Sequence, residues 1–184
     1  MDYSHKMWGF LTKVIAWNIN FLPFAIMNTK PSLFLWSALK SGLIVGILDA
    51  IAASLNAYLA GGITPDRVFI FVASGAFGQD AYAGGYSMVW LGLLFHFIIA
   101  LSWAFLFFAA FPNMKLLQAN RILVGMVYGI FIWVMMNFAV IPLSSIVPRP
   151  FQLSGSVIMI MIHMFVIGVP ISFLANSYYK VSNS

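Results

Sequence analysis

The chain has 184 residues, of which 62% are hydrophobic and only 7% charged, a length that fits one domain and a composition that excludes a soluble globular one, because so much apolar surface has the bilayer as its natural solvent. The net charge of +5 comes from nine scattered Lys and Arg residues with no basic cluster, so it reads as topology signalling and not as a nucleic-acid patch. There is no cysteine, which excludes disulfides, thiolate metal sites and a cysteine nucleophile.

Residues 1–30 lack a small-residue cleavage site after their basic start, so they do not read as a cleavable signal. Gly9, Thr12, Lys13, Ala16 and Asn20 share one narrow helical face flanked by Trp8 and Trp17. This predicts an N-terminal amphipathic helix in the membrane interface, with a fifth span as the alternative. Four long apolar runs follow, at 33–60, 87–111, 122–144 and 155–176.

The first span carries a small-residue stripe of Gly42, Gly46, Ala50 and Ala53, and Gly42 and Gly46 at four-residue spacing allow close helix approach. Thr64-Pro65 looks like an N-cap with proline at the first helical position. The apolar run after it is bounded by Asp66-Arg67 and by Gly78-Gln79-Asp80, and is too short to cross a hydrocarbon core about 30 Å thick. A short helix over 65–78, interfacial or re-entrant, is expected. The second span is rich in aromatic residues, and Gly92, His96 and Ala100 line up on one face. The third repeats the close-packing spacing with Gly125 and Gly129. In the fourth, Pro170 predicts a kink, and Tyr178, Tyr179 and Lys180 anchor the end. The expected fold is an all-α polytopic membrane protein, a four-transmembrane-helix bundle in a single domain.

Each span holds one strongly polar residue near its middle: Asp49, His96, Asn137 and His163. Because successive spans run in opposite directions, all four fall on the same side of the midplane, roughly 5 Å from it at about 1.5 Å per residue. Ionisable groups in hydrocarbon are costly and face bundle interiors, so matched depth predicts one polar layer. Placing both termini in the cytoplasm puts Lys6, Lys13, Lys30, Lys115, Arg121 and Lys180 inside against Arg67 and Arg149 outside. The layer then lies in the outer half, with Arg67 at its mouth.

The run Arg67-Val68, Ser74-Gly75, Gly78, Gly84-Gly85, Leu91-Gly92-Leu93, His96-Phe97, with Gly125, Tyr128-Gly129, Met136-Asn137-Phe138 and Pro142-Leu143-Ser144, resembles a widespread group of small bacterial inner-membrane proteins and, more loosely, the YagU-like membrane proteins. The resemblance covers roughly residues 42–177 and implies a bacterial inner-membrane location. It implies no activity and no catalytic residue.

The chemistry stays open between three readings. In the first, Asp49 with the histidines and Asn137 binds a small ligand or relays protons, since a buried carboxyl and an imidazole can share a proton. In the second, His96 and His163 hold haem, or copper(I) with Met159 one turn before His163. In the third, the polar groups and glycine faces only join helices, in a non-catalytic subunit of a homo-oligomer or larger membrane complex. Enzymatic hydrolysis is poorly supported: Ser74 lacks the glycine a nucleophile elbow needs, and no phosphate-binding loop is present.

Overall fold

The computed structural model describes residues 31–111, 120–147 and 152–182. The N-terminal interfacial helix expected over 1–30, and Lys115 and Arg149 of the charge argument, lie outside the described residues. All regular structure among the described residues is helical. Helix α1 runs Pro31–Gly61, α2 Pro65–Phe77, α3 Gly85–Ala110, α4 Arg121–Leu143 and α5 Leu153–Lys180, with a 3-10 turn at Gly78–Ala83. Helices α1, α3, α4 and α5 are long and apolar enough to cross a membrane. Helix α2, with 13 residues, reaches only about 20 Å at about 1.5 Å per residue. The chain therefore folds as a multi-pass membrane bundle whose two ends are marked by Arg67 and by Arg121.

Local chemistry sets the helix boundaries. Three glycines in the left-handed region, Gly62, Gly78 and Gly85 (φ +65°, +62° and +61°), bracket α2 and its 3-10 turn. Thr64 occupies the N-cap position of α2 in extended conformation, but its hydroxyl makes no capping bond. Pro65 instead supplies the helical φ and removes one donor that would go unbonded. Asn120 does cap: its Oδ1 accepts from the backbone N–H of Ile122 and Leu123, each at 3.1 Å.

Two segments wind as π-helix, Met136–Val140 in α4 and His163–Gly168 in α5. Each ends two residues before a proline, Pro142 and Pro170. A proline has no N–H and crowds the carbonyl four residues back, so the ladder loosens ahead of it. Here Ile141 N–H reaches back to Met136 O and Val169 N–H to Met164 O. The kink expected at Pro170 takes this wider form, and Pro142 produces a second one inside α4.

Glycines decide which helices touch. A Cβ at Gly42 would stand 2.8 Å from Leu101 Cδ2 and 3.0 Å from Ala104 Cβ, and one at Gly46 3.1 Å from Ala100 Cβ, so α1 lies closely on α3. Gly125 and Gly129 of α4 press on α5, where added Cβ atoms would lie 2.6 Å from Val169 Cα and 2.5 Å from Met164 Cα. Gly92 of α3 receives α2, and a Cβ there would overlap the Phe69 carbonyl. The far end of α2 is tied down by Ser145 N–H donating to Gly75 O at 2.9 Å.

The buried core sits toward the Arg121 end. Phe34, Phe107, Phe108, Phe111, Tyr178 and Tyr179 form one aromatic cluster there, with Phe111 and Tyr179 stacked at 5.2 Å. Tyr179 O–H donates to Phe108 O and Tyr128 O–H to Trp103 O, both at 2.6 Å. Arg121 Nε reaches the Asn176 side-chain oxygen at 2.8 Å once that amide is turned to accept.

Candidate functional site

Three of the four mid-span polar residues meet. Asp49, His96 and His163 line one cavity of about 90 Å³. Each lies ten to twelve residues in from its helix terminus at the Arg67 end, so the three share a depth. The walls are apolar: Val45, Val72, Trp103, Ile132, Met136 and Ile167 among them. Helix α2 contributes Val72, and its Phe69 meets the His96 ring edge-on at 6.1 Å. The short helix therefore reaches the polar layer itself.

Hydrogen bonds fix the histidine tautomers. His96 Nε2 lies 2.9 Å from Gly46 O. A carbonyl only accepts, so Nε2 carries the proton, and in the neutral ring Nδ1 is the acceptor. That Nδ1 faces Asp49 Oδ2 at 4.0 Å, too far for a direct hydrogen bond and right for one intervening water. His163 Nδ1 lies 2.7 Å from Met159 O and must donate to it, which leaves Nε2 as the acceptor of the neutral ring. Each imidazole thus spends its donor on a backbone carbonyl and keeps a proton-accepting nitrogen. Asp49 is 20% and His96 13% exposed, and Asp49 Oδ1 is buried with no hydrogen-bond partner. Among the described residues two other buried oxygens lack partners, Ser172 Oγ and Tyr178 Oη, and neither residue lines the cavity.

The remaining expected site residues lie elsewhere. Asn137 is exposed, and its amide donates to Trp133 O of its own helix at 2.9 Å. It sits six residues from the end of α4, shallower than the other three, on a π-helical turn whose wider pitch rotates it. Arg67 is exposed on the first turn of α2 and does not line the cavity. Met159 does not line it either, and its Sδ accepts from Asn56 Nδ2 at 3.4 Å. The copper(I) set of His96, His163 and Met159 is therefore not assembled. No group of three or more His, Cys, Asp or Glu side chains suited to a metal occurs among the described residues. The cavity that the two histidines line, about 90 Å³, is smaller than a haem.

Two groups beside the site, of which Asn56 lies outside the cavity lining, were not singled out from the sequence. Asn56 lies seven residues after Asp49, a spacing that returns to the same helical face, and that periodicity was the available signal. The Gly46 carbonyl, which orients His96, had none, because backbone partners leave no mark in side-chain pattern. The chain matches no family model, no curated protein and no solved structure.

Proposed function

We propose that the chain is an integral inner-membrane protein that takes up and releases protons, or a small ion exchanging with them, at the Asp49, His96 and His163 cavity, as part of a transport process. The observation that carries this is Asp49 Oδ1, buried without a partner beside two imidazoles whose free nitrogens accept. Leaving a buried acceptor unpaired costs about 1–3 kcal/mol, more for a charged group. A group retained at that cost in hydrocarbon is a functional candidate by default. Cavity size narrows the cargo. About 90 Å³ holds roughly three waters at about 30 Å³ each, whereas organic-ligand pockets run to about 300–1,000 Å³. The excess of basic residues at the Arg121 end favours that end in the cytoplasm, with the cavity in the outer half of a bacterial inner membrane.

The test is proton flux in liposomes carrying an interior pH dye, under an imposed potassium-diffusion potential. Wild type is expected to acidify the lumen, and Asp49→Asn to reduce the rate at least tenfold. Wild-type flux no greater than that of empty liposomes would sink the reading. A second reading, a structural subunit, is favoured by one observation: His96 ties α3 to α1 through the Gly46 carbonyl, as a residue kept only to join helices would. It predicts no flux, and a partner lost on extraction whose return restores stability.

A further inference from the structure

The cavity has two directions in which water could reach it, and they are built differently. Toward the Arg121 end lies the aromatic cluster. Phe34 and Phe108 are 0% exposed and Phe107 1%, with Ala38 and Ala104 also at 0% between the helices. Toward the Arg67 end none of residues 50–61 of α1 is buried, nor any of residues 153–162 of α5. Within that looser half, Asp49, Ala53 and Asn56 repeat at spacings of four and three on one face of α1, while Ile51 and Leu55 point away at 60% and 55% exposure. Asn56 is part-buried, and the contact found for its amide is the Met159 thioether at 3.4 Å. A thioether is a weak acceptor on a flexible side chain, so it yields readily to water. The same Met159 offers its backbone carbonyl to His163. One residue of α5 therefore links the Asn56 turn to the cavity.

We propose that water enters the Asp49 cavity only from the Arg67 end, along this face of α1, and that Asn56 is the polar station between the membrane surface and Asp49. Asn56 stands about 10 Å from Asp49 along the axis at about 1.5 Å per residue. Two or three waters bridge that span, with Met159 the side chain that swings aside. The inference rests on the cavity being a proton-exchange site, but the route can be measured whether or not protons cross.

Because the chain has no cysteine, single cysteines can be placed in the full-length protein without background. Ala53→Cys and Asn56→Cys are expected to react with a membrane-impermeant charged thiosulfonate from the Arg67 side only. Ala53→Cys should react at least tenfold faster than Ile51→Cys and Leu55→Cys, which bracket its depth on the lipid side. Ala104→Cys should stay unlabelled from both sides. Ala53 and Ile51 reacting at one slow rate would mean that lipid fills the crevice and would overturn the route. Labelling of Ala104→Cys from the Arg121 side would overturn its sidedness and point to Ser172 and Tyr178. Flux then tests Asn56: Asn56→Leu should slow it at least fivefold and Asn56→Ser less than twofold, at unchanged thermal stability. Equal flux in both variants would remove Asn56 from the route. No flux in wild type with the labelling pattern intact would retain the water path and reject the proton reading.

Discussion

Gly168 and Gly155 lie on the same helix and meet opposite surroundings. A Cβ at Gly168 would overlap the Gly125 carbonyl, whereas one at Gly155 finds nothing within 4 Å. The contrast holds along α1 and α5. At the Arg121 end backbones touch through glycines and aromatic rings fill what is left. At the Arg67 end α1 and α5 present half-buried or exposed faces while α2 packs tightly on α3 through Ile70, Ala73 and Gly92, and the polar cavity lies between the two regimes. Tight packing leaves no room for water or rearrangement, and loose packing supplies both.

The largest effects are expected where a glycine lies directly against the backbone of the next helix. Gly129→Leu drives a side chain into the His163 and Met164 backbone, which cannot retreat without parting α4 from α5. The loss should exceed the roughly 1–3 kcal/mol of ordinary overpacking, and gel filtration in detergent should show aggregate in place of a single species. Gly155→Ala is the counterpart, with a thermal stability change within about 0.5 kcal/mol or a small gain from helix propensity. Equal losses at both positions would erase the comparison.

Next comes the aromatic cluster. Phe108→Ala should destabilise by about 2–3 kcal/mol, below the aqueous 3–5, because lipid tails are as apolar as the core and only the packing term is lost. Phe165, 49% exposed at about the depth of the cavity, should tolerate alanine within about 0.5 kcal/mol. Detergent thermal melts of the two variants check the ordering.

The same difference marks how far the sequence could be read. The four long apolar helices are plain from length and hydropathy, and four-residue glycine spacing pointed to Gly42, Gly46, Gly125 and Gly129 as contact points. The meeting of Asp49, His96 and His163 follows from depth, because a straight helix converts residue number into height. Asn137 departs from that logic because depth says nothing of azimuth, and a π-helical turn before Pro142 resets the azimuth in a way a uniform 3.6-residue period does not carry. Arg67 departs for a different reason: its neighbour helix enters the bundle through Phe69 and Val72, carrying the apolar face inward and leaving the charge outside. Asn56 was legible in principle and overlooked, since it lies near a helix end, where an amide looks ordinary.

A smaller effect on stability should accompany a large one on function at Asp49. Asp49→Asn replaces an unpartnered buried oxygen with an amide that can donate across the cavity. Stability should stay level or rise by up to about 1 kcal/mol while flux falls, the usual sign of a group kept for function. A fall of 3 kcal/mol or more would instead mark a buried pair broken by removal of one partner, and would favour the structural reading.

The smallest effect is expected at Asn137, and it is informative for that reason. Its amide is satisfied by Trp133 O within its own helix, and the residue is exposed on the bundle surface. Replacing it with leucine removes a polar group that no other helix uses and gives lipid a better partner. Asn137→Leu should change stability by less than about 0.5 kcal/mol and leave flux at the wild-type rate. If flux falls while the melt is unchanged, the π-turn of α4 must rotate inward during the cycle and bring Asn137 to the cavity edge, where Met136 already stands. The four polar residues would then be one site in a second state, and the looser half of the bundle would be the part that moves.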